Sequence, residues 1–101
     1  MHQPKIVPAA AKVLNVLKAL KGHSLDGISN DALCKQLNMP PSGVTRAVET
    51  LISTGWATRL DNGRFAPSIA ALQFAEAYAR EMDSAVGRIN EIRQRVAAGA
   101  R

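Results

Sequence analysis

The sequence predicts a mainly α chain with one small β-hairpin, in which three helices and the hairpin are followed by one long or two consecutive C-terminal helices. Three observations carry that prediction. Apolar residues recur at helical spacing in segments separated by Gly, Asn and Pro stops. The third of these segments carries two interleaved stripes, one apolar and one polar, so that one face packs and the other is presented. Between residues 56 and 66, β-favouring residues flank Asp61-Asn62-Gly63, a turn whose Gly supplies a positive φ in a three-residue loop.

The elements follow in order. Pro8 suits the first position of a helix, after which Ala10, Val13, Leu14, Leu17 and Leu20 predict a core-facing stripe and Gly22 a C-terminal stop. Residues 23–28 hold only a loop or a very short strand, because the segment is short and turn-rich, with Gly22 and Gly27 bracketing Leu25. Ser29 or Asn30 caps a short second helix over about 30–37, with Leu33 and Leu37 one turn apart, Cys34 beside them and Asp31 in the first turn. Asn38 tolerates the left-handed conformation that ends it, and Pro40-Pro41 forbid its continuation. The third helix runs over 41–54: Val44, Ala47, Val48 and Leu51 form its apolar stripe, and Ser42, Thr45, Arg46 and Glu49 its polar one. Gly55 closes it. Trp56 to Leu60 reads as a strand with Trp56, Thr58 and Leu60 on one face, and Arg64-Phe65-Ala66 as its return. Ser68 stands at an N-cap, and 69–98 is Ala-, Arg- and Glu-rich with only Gly87 against helix. Asp83, Ser84 and Gly87 leave open a break into two helices.

Composition narrows the function classes. A chain of 101 residues with 47% apolar content makes one small domain with its own core and excludes a large multi-domain enzyme. Its net charge of +5 favours anionic partners, and the excess is uneven: residues 1–68 carry +4 and residues 69–101 carry +1. One cysteine, Cys34, makes no internal disulfide, and neither His2 nor His23 has Cys or carboxylate partners at metal spacing. No phosphate-cradling Gly loop and no catalytic pair is visible, so no catalytic residue, no metal and no cofactor is expected, and the chain is not read as an enzyme. No segment resembles a signal peptide or a membrane span, which makes a cytoplasmic protein without membrane contact the expectation.

Short helix, four-residue turn, two-striped helix and basic hairpin, in that order, describe a winged helix-turn-helix, whose second motif helix enters the DNA major groove. The residues resemble the N-terminal domain of the IclR family. Lys12-Val13-Leu14-Asn15-Val16-Leu17 is similar to its opening Lys/Arg-apolar-Leu-x-apolar-Leu, and Leu33-Cys34 stand where it has Leu-Ala. Met39-Pro40-Pro41-Ser42-Gly43-Val44-Thr45-Arg46-Ala47-Val48-Glu49-Thr50-Leu51 resembles its Leu-Pro-x-Ser-Thr-apolar-His-Arg-Leu-Leu-x-Thr-Leu. Gly55-Trp56 matches its Gly-aromatic pair, and Asp61-Asn62-Gly63-Arg64-Phe65 its Asp-x-Gly-x-Tyr/Phe turn, so the likeness runs from about Lys12 to Leu72. The chain departs from the pattern at Asn38 for a turn Gly, Cys34 for Ala, Gly43 for Thr and Thr45 for a larger side chain. Family members usually continue into a ligand-sensing domain, and the short sequence leaves no small-molecule effector expected.

The resemblance implies a sequence-specific regulator of transcription that binds double-stranded DNA as a homodimer, with helix 41–54 in the major groove and hairpin 56–66 as wing. The implied DNA-binding residues are Pro41, Ser42, Gly43, Thr45, Arg46, Glu49 and Thr50 on the helix, and Arg59, Asn62 and Arg64 on the wing. Arg46 suits guanine O6 and N7 or a bidentate phosphate clamp; its other reading is a surface Arg paired with Glu49 or Thr50. Ser42 either meets a phosphate at the helix N-terminus or caps the helix. The basic wing residues either lie over the DNA backbone or guard a sheet edge. Lys5, Lys12, Lys18, Lys21 and Lys35 read as solvated surface, with one or two of them placed to touch phosphate. Trp56 and Phe65 read as core rather than as stacking platforms.

Leu72, Ala75, Ala79, Met82, Val86, Ile89 and Val96 alternate steps of three and four, with Arg93 interrupting, and this heptad-like seam predicts dimerisation. The competing reading packs the helix back on its own domain. The expected organisation is an N-terminal arm over 1–8, a winged helix-turn-helix domain over 9–68 and a helical dimerisation or linker segment over 69–101. A protein-interaction adaptor and a nonspecific architectural DNA-binding protein remain the alternatives on the same scaffold.

Overall fold

A computed structural model describes residues 4–99 of the chain. Four helices and one two-stranded sheet follow in the order α1 (Pro8–Ala19), α2 (Asn30–Leu37), α3 (Pro41–Ser53), β1 (Ala57–Arg59), β2 (Phe65–Pro67) and α4 (Ile69–Ala97). The chain is mainly helical with one antiparallel hairpin and divides between Ala71 and Leu72 into two compact units.

The first unit is organised around the buried stripe of α3. Val44, Ala47, Val48 and Leu51 meet Val16, Ala19 and Leu20 of α1, Leu33 of α2, Ile28, and Ala57 and Phe65 of the hairpin in one core. Local chemistry sets the boundaries. Pro8 and Pro41 occupy first turns, where a missing N–H costs nothing. Ser29 caps α2 by accepting a hydrogen bond from the Ala32 amide at 3.1 Å. Asn38 ends α2 at φ 53, which makes it the sole non-Gly residue of positive φ among the described residues.

The structure changes the phase of α1. Leu14, expected in the core stripe, is 55% exposed, and Ala10 is exposed as well. The buried face runs instead through Val16, Ala19 and Leu20, with Val13 and Leu17 half-buried beside them. α1 is apolar on most of its circumference, so spacing alone does not choose its face.

The first strand of the hairpin is also shorter than expected. β1 pairs antiparallel with β2 in the register Ala57↔Pro67, Thr58↔Ala66 and Arg59↔Phe65. Ala57 is the buried residue of β1, whereas Trp56, Thr58 and Leu60 are each half-buried. Both Phe65 and Ala66 are buried, although successive strand residues point to opposite faces. The segment before α2 pairs along the edge of β2: Ile28 bridges Phe65 through reciprocal backbone hydrogen bonds of 2.8 and 2.9 Å, adding the very short third strand that residues 23–28 had room for. Gly27 makes that approach possible. It sits at φ 74, and a Cβ there would lie 2.8 Å from the Arg64 Cβ and 3.0 Å from the Phe65 carbonyl oxygen.

Ser68 joins the end of the hairpin to α4. Its hydroxyl donates to the Gly55 carbonyl at 2.6 Å and accepts from the Ala71 amide at 3.0 Å, the N-cap expected there. α4 is one continuous helix through Asp83, Ser84 and Gly87, spanning 29 residues, or roughly 43 Å at 1.5 Å per residue. Helix-favouring Ala, Glu and Arg around Gly87 outweigh its cost of about 1 kcal/mol. None of the residues of α4 is buried, and two ion pairs one turn apart, Glu76–Arg80 and Glu91–Arg95, run along it.

Candidate nucleic-acid interface

The polar stripe of α3 lies opposite its buried one. Ser42, Thr45, Arg46, Glu49 and Thr50 are all exposed, and the backbone that carries them is fixed because Val44 and Val48 are almost wholly buried on the other side. Arg46 projects from the middle of the stripe. Neither Glu49 nor Thr50 pairs with its guanidinium, and among the described residues no hydrogen bond or ion pair occupies it. A planar cation held in the open in this way keeps all its donors for an external acceptor.

The other stripe residues are differentiated by their partners. Thr45 donates to the Pro41 carbonyl at 2.9 Å and accepts from the Asn30 side-chain amide at 3.1 Å, so its hydroxyl is engaged between α3 and α2. Thr50 turns its hydroxyl back onto the Arg46 carbonyl at 2.8 Å and presents its methyl group. Ser42 makes no capping bond, since Pro40 is the N-cap and α3 has no side-chain cap; its hydroxyl stays at the open N-terminal turn. Pro41 contributes its carbonyl to Thr45. Gly43, half-buried, opens the flank of α3 toward α1.

That flank forms a shallow concavity of about 280 Å³ between α1 and α3. Val13, Gly43 and Ala47 line its deeper part, and Lys12, Arg46 and Thr50 its rim. No carboxylate lines it.

The wing residues divide in the same manner. Arg59 lies over the Phe65 ring, 5.2 Å from its centroid, as its cross-strand partner. Arg64 follows the turn, where its carbonyl accepts from the Leu60 amide at 2.8 Å. Asn62 has both ends of its amide engaged. Its oxygen accepts from the Arg64 amide at 2.9 Å, and its nitrogen donates to the Asp26 carbonyl at 3.0 Å. Arg64 keeps an exposed, unpaired guanidinium among the described residues.

Two positioning residues escaped the sequence reading. Asn30 receives the Cys34 thiol at 3.3 Å while donating to Thr45, which ties the two helices of the motif through one side chain. Asp26 anchors the wing through its backbone. An Asn directly after the Ser cap of a short helix was the available signal for the first; the second involves a carbonyl and has none. Cys34 is half-buried, and among the described residues no group of three metal-ligating side chains occurs and no helix is long and apolar enough to cross a membrane.

On α4, the seam residues Leu72, Met82, Val86, Ile89 and Val96 are 40–73% exposed, and Phe74, Tyr78 and Ile92 are similarly open.

Comparison with known proteins identifies what this arrangement is similar to. The model of the IclR helix-turn-helix domain matches residues 9–61, just over half of the chain, and stops short of β2. The crystal structure of Pseudomonas aeruginosa HmgR is 28% identical over 76% of this chain and 33% of its own, with a TM-score of 0.66. An IclR family transcriptional regulator from Brucella abortus has the same fold at 21% identity and a TM-score of 0.62, over 77% of this chain and 30% of its own. The chain thus spans about one third of the length of these solved relatives. No curated protein matches the sequence.

Proposed function

Because the chain belongs to the IclR helix-turn-helix domain family, a family of DNA-binding transcription regulators, we propose that it is a sequence-specific regulator that binds double-stranded DNA as a homodimer. In this reading α3 enters the major groove, the hairpin follows the backbone as a wing, and the segment from residue 69 joins two protomers. The observation that carries it is the exposed face of α3, with an uncommitted Arg46 at its centre and a fully packed face behind it. Ser42 and Glu49 flank Arg46 as groove or phosphate contacts, and Arg64 is the wing cation free to reach the backbone. Thr45 and Asn62 act chiefly by holding the motif and the wing in place, since their polar atoms are already engaged.

The exposed seam of α4 supports the dimer. Its large apolar side chains Leu72, Met82, Val86, Ile89 and Val96 are 40–73% exposed, and a row of exposed apolar side chains of this kind marks an interaction surface. A cytoplasmic location belongs to the same proposal.

Selection of bound sites from random duplexes tests the reading. Specific binding by a dimer yields a two-fold symmetric site with half-sites about one helical turn, or a multiple of it, apart. Arg46→Ala then loses about 1–3 kcal/mol of affinity for the selected site with its melting temperature unchanged. Enrichment of no sequence, or an unaltered affinity of that variant, refutes it in favour of an architectural or adaptor role.

A further inference from the structure

Five lysines stand in the N-terminal two-thirds of the sequence, and the structure singles out one of them. Lys12 lies on the side of α1 that faces α3 and shares with Arg46 the rim of the concavity described above. Lys35, by contrast, is paired with Asp31 at 3.2 Å. Lys12 has no ion-pair partner among the described residues, and none of the residues lining the concavity is acidic. Two uncompensated cations, 34 positions apart in sequence, thus meet at one concave surface. Thr50 offers that surface a methyl group, since its hydroxyl is bonded to the Arg46 carbonyl, and Val13, Gly43 and Ala47 make the rest of it apolar. The side chains offer hydrogen-bond donors only at the cationic rim.

We propose that this concavity seats a segment of DNA strand, with deoxyribose against the apolar floor and a phosphate on the Lys12 ammonium beside Arg46, making Lys12 a backbone-contacting residue. An apolar floor under two cations matches the alternation of sugar and phosphate along a strand, whereas a free inorganic anion gains nothing from the floor. The contact positions α3 without reading bases, because a phosphate carries no sequence information. This inference rests on the DNA-binding reading, and its test separates the two.

The test measures the dependence of duplex affinity on salt for the full chain, Lys12→Gln, Lys12→Arg and Lys18→Gln, using a mixed-sequence duplex and a duplex carrying the selected site. Each phosphate neutralised contributes a log–log slope of about −0.9, so Lys12→Gln loses about 0.9 of slope and roughly eightfold in affinity at 0.1 M salt. The loss is equal on both duplexes, leaving their affinity ratio unchanged. Lys12→Arg keeps the slope, and Lys18→Gln on the same helix matches the parent chain. A parent chain that binds duplex with a slope Lys12→Gln does not change overturns the inference and spares the DNA-binding reading. Loss on the selected site alone also overturns it, since Lys12 then reads bases. A parent chain that binds neither duplex overturns both, and binding of inorganic phosphate at sub-millimolar concentration with no duplex binding assigns the concavity to a small anion instead.

Discussion

Replacing Gly27 with Ala tests whether the wing is held by the segment before α2. Two costs add. At φ 74 an L side chain is strained by about 1–2 kcal/mol. The new Cβ would also lie 2.8 Å from the Arg64 Cβ, 2.9 Å from the Leu60 Cδ1 and 3.0 Å from the Phe65 oxygen. Leu60 can rotate away, but the other two atoms are fixed to the backbone of residues 64 and 65, so the wing must retreat and stretch the Ile28–Phe65 bonds. Overpacking of this kind costs about 1–3 kcal/mol, bringing the total to about 3 kcal/mol and the fall in melting temperature to roughly 10–20 °C for a domain of this size. Gly22→Ala is the control. Its φ is 84 with nothing within 4 Å of a new Cβ, so it carries only the first cost. Thermal unfolding followed by circular dichroism on both variants isolates the steric part as their difference. If the two melt together, the close approach of Gly27 to the wing is not what holds it, and the argument fails.

Three further outcomes are expected. Gly43→Ala stabilises the chain by about 0.5–1 kcal/mol, seen as a raised denaturation midpoint, because its Cβ would meet Met39 and Pro40 at an ordinary 3.5 Å and helix propensity rises. Asn62→Ala removes two hydrogen bonds at once and lowers stability by about 1–2 kcal/mol in the same assay, with greater loss of amide-exchange protection at Arg64 than in α3. A chain truncated after Met82 sediments as a monomer at concentrations where the full chain is a dimer; equal self-association of both excludes the C-terminal half of α4 from the interface.

Legibility in the sequence followed the contrast between faces. α3 alternates apolar and polar residues so sharply that Val44, Ala47, Val48 and Leu51 were all readable as its buried side. In α1, Leu14 and Val16 are equally apolar, and which of them is buried depends on where α3 lies, not on anything local. Chain-end chemistry at Pro8, Ser29, Asn38, Pro41 and Ser68 was readable because caps and stops act within a few residues. The bonds from Asn30 to Thr45 and from Asn62 to Asp26 cross 15 and 36 positions of sequence, and no local pattern encodes them. They bear on the site more than on the fold, because they engage polar atoms of Thr45 and Asn62, two of the residues expected to contact DNA.

The bridge between Ile28 and Phe65 bears on how the hairpin is connected to the presented helix. Ile28 immediately precedes the Ser29 cap of α2, and α2 is tied through Asn30 to Thr45 on α3. The hairpin therefore has a bonded route to the presented helix, through the backbone of residues 28–30 and the side-chain hydrogen bond from Asn30 to Thr45. Hairpin, α2 and α3 are thus linked in one hydrogen-bonded chain that runs from the Phe65 backbone to the Thr45 hydroxyl.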